Sequence, residues 1–250
     1  MSKYGEVGFW DKRYSTKDPI TLKIQKTYDW YVDAEDAKNL VQSYLAGNLG
    51  AKILIVGCGN SNVTRLLYNA GYKNIVCIDF SQVLVDLLLE RDRDLEGVQV
   101  LTMDSRNLTM FPDDTFHCIL DKACLDSVMS GNTSVDAAHD MLEEVSRVLR
   151  VDGLYLSFTY ANQEARFPHL KKPQFRWVVG QTSMSTGIDN DVSYNVFVCT
   201  KKSHEDWAKM MEEEEMLKKK KEDEENKDSE QEGQFTLEKT RRKTEVKKRG

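Results

Sequence analysis

The stretch at residues 53–67, ILIVGCGNSNVTRLL, constrains this chain more than any other. Its opening apolar run has no alternating polar face, so it reads as a strand covered on both sides, as in parallel sheets. The run breaks at Gly57 and Gly59 and resumes with helical spacing, giving strand, tight turn and helix in direct succession. Glycines at such a turn let the backbone bend sharply and approach a ligand, and the amides opening the next helix can receive an anion. Asn62 stands where a dinucleotide fingerprint has its third glycine, which weighs against a nicotinamide cofactor. No lysine follows the glycines in P-loop spacing, which disfavours a nucleoside triphosphatase.

The surrounding chain repeats the alternation. Ala37, Leu40, Val41, Tyr44 and Leu45 form one helical stripe, and further helices are expected over residues 62–70, 82–91 and 136–149. The last carries Ala138, Met141, Leu142, Val145, Val148 and Leu149 on one face. Strand-like runs are AKILIV, NIVCIDF, VQVLTMD, FHCILD and VDGLYLSFT. Alternating strands and helices specify an α/β fold: an open, mostly parallel sheet with helices on both faces. After Gly180 the pattern changes, and DVSYNVFVCTKK reads as a closing strand without a crossover helix, so an antiparallel pair is expected at one edge.

Asp79 ends the second strand, 22 positions after Gly57, where a carboxylate can accept hydrogen bonds from both hydroxyls of a ribose. Capping the next helix is its alternative role, but Ser81 fills that role better. Asp104 and Asp121 end the third and fourth strands. Carboxyl ends of successive strands form the usual ligand crevice of an open sheet, and a pocket there would hold ribose, adenine and an α-amino group.

VGCGNS, then IDFS, then MDSRNLTMFPDDTFHCILDKACLDS resemble the successive motifs of class I, seven-β-strand S-adenosylmethionine-dependent methyltransferases. GFWDKRY and DKACLDS narrow the resemblance to the lysine methyltransferases related to those acting on translation elongation factor 1-alpha, over residues 4–201. The resemblance implies a seven-stranded Rossmann-like sheet and S-adenosyl-L-methionine as cofactor. It sets Gly57 against the methionine portion, Asp79 on the ribose, Phe80 beside the adenine, and Asp104 and Ser105 at the adenine amino edge. It also implies that Trp10, Tyr14 and Trp30 fold over the cofactor and that Lys122 contacts it. Aromatic residues on a mostly polar segment must pack on something, so these rings face either a ligand or the core. Arg13 is a candidate for a bidentate carboxylate contact or a surface ion pair.

TYANQEARFPHLKKPQFRW contains no N-P-P-Y or D-P-P-Y tetrapeptide, which weakens a base or glutamine acceptor and favours an amine. A lysine amine is mostly protonated at neutral pH, with an ordinary pKa near 10.4, so the site must desolvate and align it. Asp121, Asp126 and Tyr160 are the candidates for orienting it, against structural roles as strand-end and cap residues. The activity that the resemblance implies is protein-lysine methylation, with translation elongation factor 1-alpha as a candidate substrate. The alternatives are a small-molecule methyltransferase on the same fold and a non-catalytic cofactor-binding adaptor.

Composition bounds the partners. With 41 acidic and 35 basic residues, the chain offers no basic field for nucleic acid. It has no apolar stretch long enough for a membrane span and no apolar leader. Five scattered cysteines and no Cys/His cluster point to reduced thiols in the cytoplasm and to no metal site. From Ser203 onward, 15 acidic and 13 basic residues fill 48 positions. The expected division is therefore a domain at 1–202 and a charged tail at 203–250, helical or disordered. Glu214 and Glu215 precede Lys218 and Lys219 by four residues, the spacing of helix-supporting ion pairs.

Overall fold

The computed structural model describes residues 3–16, 27–130, 134–186 and 189–221. The chain divides into two compact units, Met1–Ser203 and His204–Gly250. The first unit runs α1 (Val7–Ser15), α2 (Ala34–Leu45), β1 (Ile53–Val56), α3 (Val63–Asn69), β2 (Ile75–Asp79), α4 (Gln82–Arg91) and β3 (Gln99–Thr102). It continues with β4 (Phe116–Lys122), α5 (Cys124–Val128), α6 (Ser134–Val148), β5 (Leu149–Thr159), α7 (Gln163–Leu170), β6 (Trp177–Thr186) and β7 (Asp189–Lys201).

All seven strands join one sheet in the order β3-β2-β1-β4-β5-β7-β6. β3 through β5 are parallel, and β7 is antiparallel to both β5 and β6. The strand expected to close the sheet therefore lies one place in from the edge, with β6 outside it. β1 is buried at every position, and its residues alternate between the faces. Ile53 and Ile55 enter the core under α1, α2, α3 and α4, whereas Leu54 and Val56 enter the core shared with α5, α6 and α7. This two-sided burial is why the strand reads as an unbroken apolar run.

The stripe on α6 is fully withdrawn from water, as its spacing specifies. Each Leu, Met or Val on it contributes about 1.5–3 kcal/mol. Leu149, expected as its last residue, instead opens β5. α4 begins where Ser81 accepts the Leu84 N–H, so Ser81 is the cap and Asp79 is released from that task. Four elements, α1, α5, α7 and β6, were not expected from the sequence pattern. α7 contains Pro168, and β6 is a polar edge strand bearing Gly180.

In the second unit, residues 204–221 are helical and carry the i,i+4 pairs Glu205–Lys209, Glu214–Lys218 and Glu215–Lys219. The rest of the charged tail lies outside the described residues. No helix among the described residues is long and apolar enough to cross a membrane, and they contain no His/Cys/Asp/Glu group arranged for a metal.

Candidate active site

A cavity of about 720 Å³ lies at the carboxyl ends of β1, β2, β3 and β4. The order reverses between β1 and β4, which opens a crevice there. Gly57 and Gly59 turn out of β1 with φ of +54° and +55°, a left-handed conformation that side chains oppose. A Cβ on Gly57 would lie 2.6 Å from Cys124 Sγ. Gly57 is therefore needed to let α5 pack behind the turn as well as to line the cavity.

Asp79 lines the same cavity although only 5% of it is exposed. Its carboxylate accepts the Gly59 N–H at 3.1 Å and the Ser81 N–H at 3.1 Å. Burial nonetheless outweighs these bonds and pushes its pKa up to about 6. An acid held this way gains from any further hydrogen-bond donor brought by a ligand. Phe80 stands beside it on the wall. Asp104 is held by Arg106 through Nε at 2.9 Å; burial pulls its pKa upward, but that pairing prevails and lowers it. Ser105 accepts a 3.6 Å contact from Cys124 Sγ.

α1 and residues 28–31 close one side. Asp11 accepts the Ser81 hydroxyl at 2.5 Å, which docks α1 on the start of α4. Trp10 and Tyr14 stack at 5.8 Å, and Trp10 Nε1 donates to the Tyr4 carbonyl at 2.6 Å. Trp10 meets Trp30 edge-on at 6.3 Å. All three rings touch both core and cavity, so the alternative of ligand or core is no alternative here. The Arg13 guanidinium lies over Tyr28 at 4.9 Å and Trp30 at 5.4 Å. Lys122 pairs with Asp29 at 2.9 Å and donates to the Trp30 carbonyl at 3.3 Å. Burial lowers its pKa against the pull of Asp29.

The β4 end corrects one expectation. Asp121 does not line the cavity; it is wholly buried, and four donors use its carboxylate. Cys124 N–H at 2.7 Å and Leu125 N–H at 3.3 Å meet one oxygen, while Tyr155 OH at 2.6 Å and Ser157 OH at 3.0 Å meet the other. It braces α5 against β4 and β5 and has no lone pair to offer an incoming amine. Asp126 does reach the cavity, as does Tyr160, which is 69% exposed at its mouth.

The surroundings of Asp126 are what sequence reasoning missed. Its carboxylate accepts the Tyr31 hydroxyl and the Thr159 hydroxyl, each at 2.7 Å, and pairs with buried Arg166 of α7. Arg166 also donates to Thr159 at 3.3 Å, and its Nε has no hydrogen-bond partner among the described residues. Tyr31 lines the cavity with φ +68°, at the centre of a turn closed by Val32 N–H on the Trp30 carbonyl at 2.8 Å. Such a three-residue turn of this hand is rare, and strain of this type costs about 1–3 kcal/mol. The adjacent rings in YDWYVD were the one sequence signal for Tyr31; nothing in it foretold the backbone. The arrangement as a whole joins a carboxylate-and-aromatic half over β2 and β3 to a tyrosine–aspartate half beside α5.

Residues 54–157 match the family described as a methyltransferase domain. The mouse protein named EEF1A lysine methyltransferase 4 is 31% identical over 194 residues, which cover 74% of this chain and 73% of that protein. The bovine protein named eEF1A lysine and N-terminal methyltransferase is 33% identical over 162 residues, covering 64% of this chain but 22% of that longer protein. Among solved structures, the N-methyltransferase NodS from Bradyrhizobium japonicum WM9, in complex with S-adenosyl-L-homocysteine, matches with a TM-score of 0.59. At 12% identity, over 80% of this chain and 100% of that one, this likeness is one of fold. With the sheet order, the glycine turn and a 31% relative in agreement, the chain belongs to the seven-β-strand, S-adenosylmethionine-dependent methyltransferases, beside the relatives named as eEF1A lysine methyltransferases.

Proposed function

We propose that this methyltransferase acts on a lysine side chain of a protein, with translation elongation factor 1-alpha as the first candidate, and that it works in the cytoplasm. The observation that carries this reading is the mouse relative, whose name specifies that acceptor. Five unpaired cysteines, four of them buried, agree with a reducing compartment. Residues 1–202 form the catalytic domain in this reading, and 203–250 form a charged extension.

The residues lining the cavity suit S-adenosylmethionine. Asp79 would receive the ribose hydroxyls, Phe80 would pack beside the adenine, and Asp104 with Ser105 would meet its amino edge. Gly57 would lie under the methionine portion, Lys122 would contact it, and Trp10, Tyr14 and Trp30 would cover the ligand. About 720 Å³ is ample for a molecule of this size. Tyr31, Asp126 and Tyr160 line the part of the cavity beside α5, where the acceptor enters in this reading, with buried Arg166 paired to Asp126 behind them.

When bound, the cofactor supplies an electrophilic methyl on sulfur, and transfer forms an N–C bond while the C–S bond breaks with its electrons left on sulfur. The chain's own part is to make the amine a nucleophile. A channel walled by Tyr160 and Tyr31 removes water from the lysine head and so favours its neutral form. Asp126 is already neutralised by Arg166, so it offers the amine little charge attraction and does not hold it protonated. The proton lost by the methylated product goes to solvent at the open mouth.

Purified enzyme, radiolabelled cofactor and elongation factor 1-alpha give the test. Label on the factor, mapped to lysine by mass spectrometry, is expected. A small molecule as the sole labelled species in a whole lysate would replace this reading with its small-molecule alternative.

A further inference from the structure

We infer that Tyr31 is an acceptor-orienting catalytic residue whose phenol oxygen receives an N–H of the incoming amine. The inference rests on the amine-acceptor reading above and names a residue within it.

Three observations converge. The Tyr31 proton is committed, because its hydroxyl donates to Asp126 at 2.7 Å. Asp126 is itself fixed by Thr159 and Arg166, so it does not swing away to free that proton. The phenol oxygen is therefore left with acceptor capacity alone. Tyr31 and Asp126 both line the cavity, on the side of β4 and α5 away from Asp79. The ring is also fixed in direction: it packs against Tyr160 at 6.0 Å and Tyr194 at 5.1 Å. Finally, the backbone holds a bulky residue in a left-handed turn, a conformation kept only where the surroundings enforce it. The same turn's Trp30 carbonyl accepts Lys122, so cofactor wall and acceptor wall share one rigid feature.

An oxygen that only accepts discriminates among amines by their N–H count. Neutral lysine has two N–H groups, monomethyl-lysine one, and dimethyl-lysine none. Tyr31 thus aligns the first two transfers and gives no help to a third.

The test pairs Tyr31→Phe with wild type on elongation factor 1-alpha, and adds the same factor after reductive dimethylation of its lysines. The Phe ring keeps the packing and the turn. Its turnover number is expected to fall about 10- to 100-fold, with cofactor affinity by calorimetry within about threefold of wild type. Wild type is expected to methylate the dimethylated factor at least about tenfold more slowly than the unmodified one, and the variant to lose most of that discrimination. A variant that binds cofactor normally and turns over within about twofold of wild type overturns the inference. So does wild type that trimethylates the dimethylated factor as fast as it methylates lysine, a readout that stands even if the variant does not fold. Wild type that labels no lysine at all removes the acceptor reading itself, and the inference with it.

Discussion

At the scale of single residues, Asp79 shows how a buried, cavity-lining acid stands at the expense of stability. Its carboxyl is raised from the ordinary 3.8 to about 6, so the folded chain holds a proton that the unfolded chain has released between those values. Stability is therefore lost, not gained, as pH rises through that window, by about 3 kcal/mol in total. Cofactor binding runs the other way. If Asp79 receives the ribose hydroxyls as proposed, they donate to the ionised acid, so affinity should rise with pH up to about 6 and level off above. Asp79→Asn is expected to weaken cofactor binding by about 1–3 kcal/mol, flatten the pH profile and leave the empty protein no less stable at pH 8. Calorimetry between pH 5 and 8 checks both; a variant with wild-type affinity would remove Asp79 from the ribose. Asp79 was legible because the spacing from Gly57 exposes it. Tyr31 and Arg166 were not, since a φ angle and a partner 40 residues before Arg166 leave no trace in local pattern.

At the scale of elements, the glycine turn and α5 form one unit. Gly57 has no side chain because Cys124 occupies the space, and α5 is held there by Asp121. Asp121→Ala would strand two amides and two hydroxyls in a wholly buried place, at a cost of about 2–4 kcal/mol. An unfolding temperature lower by roughly 5–15 °C is expected. A drop in turnover without any loss of stability would instead return Asp121 to the acceptor site. The sequence showed a strand-end aspartate but not which way it faces. Strand ends point alternately to cavity and core, and register alone decides between them. α7 was hidden for another reason: Pro168 is read as a breaker, although Asn162 caps the helix by accepting the Ala165 N–H.

At the scale of the whole molecule, the described residues that line the cavity belong to the first unit, and the described part of the second carries solvated i,i+4 pairs. Such exposed pairs are worth little to stability. Ending the chain at Ser203 is expected to leave cofactor affinity within about threefold and the unfolding temperature nearly unchanged, checked by calorimetry and thermal unfolding; loss of cofactor binding would make the tail part of the site. The order of apolar runs and turns determined, by itself, the parallel sheet, the helices on its two faces and the crevice at its strand ends. These follow from periodicity and burial, which are local properties of the chain. The tertiary structure alone decided which strand-end aspartates line the cavity, that a tyrosine at a strained turn meets Asp126, and that an arginine from α7 pairs with it. Those contacts join residues 31, 126, 159 and 166, and only closure of the whole sheet brings them within hydrogen-bond distance.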